Sequence, residues 1–279
     1  MPSGLRRRRP RGSAPAWIAG SIALLLVLCA LLPGLIAPYP PLAIDPAGAF
    51  QPPSPAHPFG TDDSGRDVLS RVIFGARDSL TIGVTATLAG LVLGVALGAL
   101  AGGSRSRVLS PLRAATDRVI EALFAFPGLL LALLLISIRG PGVVSVMIAV
   151  AISTAPGYAR MVRGGVRQSL GSGAVEAARL QGDHGLRVWT RLVLPESLRP
   201  VLVLATLGVG QAVVLAAALG FLGLGTPPPA PEWGAMLNAG RPYLTKAWWL
   251  TFFPGLMILA VGLSTTVLGR ALDRGSRFA

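Results

Sequence analysis

The chain has 279 residues, of which 52% are hydrophobic and only 13% charged, with a mean hydropathy of +0.63 and a formal net charge of +13. Soluble domains carry about 25% charged residues, so this composition excludes an ordinary water-soluble globule and predicts a polytopic membrane protein. The positive charge does not indicate nucleic acid, because the basic residues gather at the ends of apolar runs and no aromatic-studded basic stripe is present.

A bilayer core about 30 Å thick needs roughly 20 apolar residues in helical form. Six runs meet or approach that length, at 16–37, 80–102, 119–138, 143–159, 200–222 and 248–269. A basic tail, 1–15, precedes the first with Arg6, Arg7, Arg8, Arg9 and Arg11. The first run is longer than a signal-peptide core and lacks an evident cleavage site, so it is expected to be retained as a span. Six spans put both termini on one side. With the N-terminus inside, nineteen of the 25 basic residues fall in inner segments and six outside. That asymmetry orients the chain with cytoplasmic termini. The expected organisation is an external loop at 38–79, a transmembrane core at 80–270, an inner loop at 160–199, an external loop at 223–247 and an inner tail at 271–279.

The first external loop opens as "APYPPLAIDPAGAFQPPSPAHPFG", which cannot be regular helix. It continues as "TDDSGRDVLSRVIFGARDSL", where Asp62 and Ser64 near Gly60 and Gly65 predict a turn. An amphipathic stretch lying against the membrane surface is expected after it. Asp62, Asp63 and Asp67 lack the spacing and the closing Glu of a calcium loop. His57 and His184 stand apart from any ligand set, so no metal is expected. In the second run Gly90, Gly94 and Gly98 recur every four residues, a face suited to close helix packing in lipid. The later loop "GLGTPPPAPEWGAMLNAGRPYLTK" contains a stiff Pro run. Trp233 and the Trp248–Trp249 pair suit the membrane interface. Cys29 is the only cysteine, which excludes an intrachain disulfide.

The motifs of several catalytic classes are missing. A nucleotide-binding P-loop needs Lys followed by Ser or Thr, but the only Lys, Lys246, precedes Ala247. Neither a Gly-x-Ser-x-Gly elbow nor a His-Glu-x-x-His helix occurs. No ionisable residue lies near the centre of a span: Glu121 sits near the inner end of the third, and Gln211 is the polar residue of the fifth. This disfavours an ion-coupled carrier. Energy for uphill transport would have to enter from another chain, through the large inner loop.

In that loop "GAVEAARLQ" is a good helix former, and Ala177 and Ala178 keep one face thin. Gly182 is placed to end the helix in a left-handed conformation. "LRVWTRLVL" resumes a helical pattern with Leu186, Trp189 and Leu192 or Val193 on one side, and Pro195 is expected to end or redirect it. Such a bracket reads either as a docking element for a cytoplasmic partner or as an amphipathic connector.

The same segment, Glu176-Ala177-Ala178, three residues, Gly182, nine residues, then Leu192-Val193-Leu194-Pro195, resembles the cytoplasmic signature of ABC-importer permeases. Leu192 stands where Ile is usual. The stretches "HPFGTDDSGRDVLSRVIFGARDSL" (57–80) and "ALGFLGLGTPPPAPEWGAML" (218–237) resemble the C-type permease of the dipeptide, oligopeptide and nickel branch. Arg270 stands where relatives commonly have an acid. The resemblance implies an all-α membrane protein with the six-span type I importer permease fold, in a bacterial plasma membrane. It implies ATPase coupling through Glu176, Ala177, Ala178, Gly182, Leu192, Leu194 and Pro195. It marks Gly60, Thr61, Asp62, Gly65, Arg66, Asp67, Glu232, Trp233 and Gly234 as an external-loop motif. The implied partners are a second permease, two ATP-binding cassette subunits, an external solute-binding protein and lipid. No catalytic residue, cofactor or nucleic acid is implied. The rival readings are an ATPase-independent channel or secondary carrier, and a membrane scaffold that transports nothing.

Overall fold

The computed structural model describes residues 13–103, 110–183 and 185–276. The expectations for Arg6, Arg7, Arg8, Arg9, Arg11, Arg105, Arg107, His184 and Arg277 fall outside the described residues. In chain order the helices are α1 (Ser13–Leu31), α2 (Pro33–Ile36), α3 (Val68–Gly102), α4 (Ser110–Ala125), α5 (Gly128–Arg139) and α6 (Val143–Leu170). They continue with α7 (Gly173–Leu180), α8 (Leu186–Val188), α9 (Leu194–Phe221), α10 (Trp233–Gly240) and α11 (Trp249–Ser276). Among the described residues the only β-pairing is an isolated bridge between Thr61 and Asp67.

Five helices are each long and apolar enough to cross a bilayer: α1, α3, α6, α9 and α11. The crossing expected at 119–138 is not one helix. It is the pair α4 and α5, which meet at 101° across Phe126–Pro127. Pro127 offers no N–H, and its ring disfavours a helical conformation at Phe126, so the chain turns there.

The seam between α3 and α6 organises the bundle. Gly90, Gly94, Gly98 and Gly102 of α3 face Ala151, Ala155, Ala159 and Val166 of α6. A Cβ on Gly94 would stand 2.5 Å from the Tyr158 Cβ and 2.8 Å from the Ala155 carbonyl oxygen; one on Gly98 would stand 2.5 Å from the Ala159 carbonyl oxygen. The two backbones approach as closely as they do because no side chain intervenes.

Both helices outrun the membrane. At 1.5 Å per residue, α3 is about 52 Å long and α6 about 42 Å, against a hydrocarbon core of roughly 30 Å. The surplus of α3 lies at its outer end. Residues 68–79 are therefore not an amphipathic segment on the membrane surface but the first turns of α3, with Val68, Ser70, Arg71, Val72, Gly75 and Ser79 buried. The polar members turn inward because partners await them there. Ser70 bonds Asp67, the Arg71 guanidinium donates to the Pro41 carbonyl at 3.3 Å, and Ser79 donates to Glu232. The surplus of α6 lies at its inner end and carries the inner loop into the cytoplasm.

The core is tiered along this axis. Val68, Val72, Trp233, Trp249 and Leu250 form an outer cluster. Ile82, Ala86, Ile136, Val150 and Leu219 form a central one. Val162, Val166, Val175, Val188, Val193 and Val201 form an inner one. Two of the tryptophans expected at the membrane interface belong to the outer cluster; Trp248, half exposed, is the one left at the surface. Indole burial won because each ring nitrogen finds a carbonyl inside.

Replacing Gly94 by Ala should force the seam apart and lower stability by about 1–3 kcal/mol, the usual cost of overpacking. Gly164→Ala on the same α6, where a Cβ meets nothing within 4 Å, should not. Tryptophan-monitored thermal unfolding of the two variants in detergent measures the contrast.

Candidate functional site

Two constructions stand at opposite ends of the seam. The inner one is an arm built from α7, the turn after it and α8. Ser172 caps α7 by accepting from the Val175 N–H at 3.5 Å. Gly182 follows the helix with φ +91, a conformation an L side chain rarely adopts. Gly185 takes φ +53, so the turn contains two left-handed residues. Asp183 and Arg187 pair across it at 3.0 Å.

Beyond the turn the chain does not stop at Pro195. α8, a π-helical turn at Trp189–Val193, and α9 run on as one path. The Leu194 N–H reaches back five residues to the Trp189 carbonyl. That wider turn precedes Pro195 in the first turn of α9, and it relieves the clash a proline ring makes in a regular helix. Helical structure therefore does not end at Pro195, contrary to one of its expected roles.

The arm is rooted by valines. Val175, Val188 and Val193 are buried against Val162 and Val166 of α6. Ser169, near the end of α6, donates to the Glu196 carboxylate of α9 at 2.8 Å and ties the two roots together. Of the later residues expected to take part in coupling, Leu192 and Leu194 are half-buried and Pro195 is exposed. Glu176, Ala177 and Gly182 face outward, with Ala178 half-buried. Leu186, expected on one side with Trp189 and Leu192 or Val193, is instead 79% exposed while Val193 is buried, and Leu180 is 86% exposed. These two leucines flank the Gly182 turn and give the arm an apolar outer face. The sequence signal for them was an apolar residue on each side of a glycine turn in an otherwise polar loop.

The outer construction is a cap over the start of α3. Thr61 donates to the Gly48 carbonyl at 2.6 Å, and its own carbonyl accepts from the Trp249 indole at 3.0 Å. Gly60 allows this, because a side chain there would meet the Trp249 ring. Asp62 accepts from the Ser64 and Arg66 N–H groups at 2.9 Å and pairs with Arg66 at 3.5 Å and Arg71 at 3.6 Å. Gly65, φ +77, sits where a Cβ would run into the Asp45 carbonyl. Asp67 caps α3 by accepting from the Ser70 N–H at 2.7 Å, and it also pairs with His57 at 2.9 Å. His57 is thus a structural partner, and among the described residues no cluster of three metal-ligating side chains occurs.

Glu232 closes the cap from the far side of the chain. Its carboxylate accepts from the Gly234 and Ala235 N–H groups at 2.8 Å and from the Ser79 hydroxyl at 3.2 Å. Burial pushes this carboxyl above its ordinary range, while those donors pull it back down. Trp233 is fully buried and donates to the Val72 carbonyl at 3.0 Å. Gly234 lies against Ala217, where a Cβ would come within 2.6 Å of the carbonyl oxygen. The nine external-motif residues therefore come together on the outer turns of α3 and the top of α9 and α11. Most of their polar groups are used internally, which makes them scaffold.

Residues 94–278 match the model of a family described as binding-protein-dependent transport system inner membrane component. The di/tripeptide transport system permease protein DppC of Pseudomonas aeruginosa is 42% identical over 255 residues, covering 89% of this chain and 83% of that protein. The glutathione transport system permease protein GsiD of Escherichia coli is 38% identical over 266 residues, covering 95% and 86%. Among solved structures, a chain of the inward-facing MetNI methionine ABC transporter superposes with a TM-score of 0.57 at 21% identity, covering 74% of this chain and 95% of that one. A chain of an amino acid ABC transporter with histidines gives 0.58 at 18% identity, covering 76% and 95%.

In the cap, Glu232→Gln exchanges an acceptor for an amide NH2 that faces N–H donors. The expected loss is about 1–3 kcal/mol, the cost of leaving a buried donor without a partner. A melting temperature in detergent equal to that of the parent protein would show that the Glu232 carboxylate does not hold the cap.

Proposed function

The chain belongs to the family of binding-protein-dependent transport system inner membrane components, and as a permease subunit of an ATP-driven importer we propose that it forms one half of a peptide path. The other half is a second, related permease. Two ATP-binding cassette subunits sit on the cytoplasmic side, and an external binding protein delivers solute to the cap. Relatives 38–42% identical that are named for di/tripeptide and glutathione transport support a peptide-type solute. ATP hydrolysis belongs to the partner subunits.

The observation that carries the coupling role is the outward apolar face of the inner arm. Leu180 and Leu186 project from a segment that continues from α6 and leads into α9. Water gives such a surface no stabilisation, and burial of each leucine would contribute roughly 2 kcal/mol. A cleft on an ATPase subunit would take both leucines, and the exposed Ala177, three residues before Leu180, would allow close approach. Within the arm, Glu176, Ala177, Ala178 and Gly182 form the docking surface. Leu192, Leu194 and Pro195 connect it to α9.

Movement of the arm then has a defined route. Closure of two ATPase subunits on ATP draws the arm inward. The valine root transmits that to α6 and α9, and the glycine seam obliges α3 to follow α6. Closure biases the permease pair toward its outward-open state because the ATP-bound subunits contact that state better. An ATPase-independent channel or carrier would have no use for this arm.

Gly182→Val tests the coupling. A β-branched residue at φ +91 costs about 1–3 kcal/mol and distorts the turn. Uptake of a labelled dipeptide into cells should fall about tenfold or more, while membrane insertion and basal ATPase activity of the purified complex persist. Parental uptake by this variant would return the loop to the status of an ordinary connector.

A further inference from the structure

Gln211 is placed where lipid would not tolerate it. It lies near the middle of the apolar stretch Val203–Phe221 of α9 and is exposed on the helix surface. Its carboxamide has no hydrogen-bond partner among the described residues. An unpaired amide facing hydrocarbon costs several kcal/mol, so this face of α9 meets something polar.

The surroundings specify what. Gln211 borders two concavities, of about 410 Å³ and 550 Å³. The first is walled by the α4–α5 break at Phe126 and Gly128 and by Ser153 and Thr154 of α6. Irregular backbone at membrane depth is tolerated where it is buried in protein or lines a water-filled space. The second concavity runs along α11 past Thr266 to Arg270. The exposed mid-membrane amide and the broken span are independent features, and they open onto one continuous face.

Building on the importer reading, we infer that this face is the chain's wall of the solute path and that Gln211 is a solute-contacting residue on it. The chemistry of the face selects a class. A carboxamide offers one acceptor and two donors and no charge. The hydroxyls of Ser153, Thr154 and Thr266 donate to the carbonyls of their own helices, which leaves their lone pairs as acceptors. Such a wall suits an uncharged, hydrogen-bonding backbone, as in a short peptide. The cations lie nearer the cytoplasmic end: Arg270 in the second concavity, and Arg160 with its guanidinium 4.1 Å from the Phe124 ring centre beside the first.

The test uses the full transporter, co-expressed with its partner subunits and purified into proteoliposomes. The background is Cys29→Ser, which leaves no other thiol in this chain. Gln211→Cys and Ser153→Cys should react with a small, charged methanethiosulfonate reagent at least tenfold faster than Leu88→Cys, an exposed position on α3 away from both concavities. Modification at 211 should abolish ATP-driven uptake of labelled dialanine. Gln211→Ala should lower that uptake about tenfold, the worth of one buried hydrogen bond, with ATPase activity retained. Equal reaction rates at 211 and 88, or parental uptake by Gln211→Ala, would overturn the assignment and make this face a packing surface. If no ATP-hydrolysing subunit co-purifies, the importer reading fails instead. The two results are separable, because thiol labelling reports water access to the face whether or not nucleotide is hydrolysed.

Discussion

Lipid tails give two apolar helices no hydrophobic reason to associate, so α3 and α6 must hold together by the closeness of their packing. The glycines of α3 supply that closeness, and the alanines of α6 accept it. Dispersion falls steeply with distance, and a gap of 0.5–1 Å forfeits a quarter to a half of each contact. The seam therefore either closes along its length or contributes little. Because both helices outrun the bilayer, the same seam fixes the spacing between what is built on the outer end of α3 and what is built on the inner end of α6.

At the outer end the polar groups are satisfied almost entirely from within. Asp62, Asp67 and Glu232 each hold backbone N–H groups at a turn or helix start, and the indoles of Trp233 and Trp249 each reach a carbonyl. Such a network is costly to disturb, because every member removed leaves a partner buried and unpaired. It makes the cap a rigid rim. The inner arm is the opposite kind of object. It is held at its roots by small apolar side chains, and it leaves two leucines, a glutamate and Ala177 facing out. A rim that keeps its polar groups to itself and an arm that exposes apolar ones suit the two ends of a transporter subunit. In the proposed reading, one end would position loops for a delivered solute and the other would meet a partner.

Much of this was legible in the sequence, and the failures have physical causes. The apolar runs, the turn at Gly182 and the small-residue face at Gly90, Gly94 and Gly98 depend on neighbours within a few residues, so pattern alone reveals them. The break at Phe126–Pro127 was missed because leucines on both sides carry the hydropathy average across one proline. Residues 68–79 read as a surface helix because Ser70, Arg71 and Ser79 are polar. Their partners include Pro41 and Glu232, thirty and about 150 residues away, beyond any periodicity argument. Leu186 was grouped on one side with Trp189 and Leu192 because regular helical spacing was assumed, whereas α8 is three residues long and a π-helical turn follows it at Trp189–Val193. The buried roles of Trp233 and Trp249 were hidden for a related reason: the accepting carbonyls, of Val72 and Thr61, belong to distant segments.

The account stands or falls on what the inner arm touches. The measurement that addresses this most directly places a photo-crosslinking amino acid at Ala177 and, separately, at Asp63 on the outer cap, both of which are exposed. The assembled transporter is irradiated in native membranes and the adducts identified by mass spectrometry. The account predicts that position 177 captures a nucleotide-hydrolysing subunit and that position 63 does not. Adducts at 177 confined to lipid or to this chain, in membranes where the ATPase subunits are present, would contradict it.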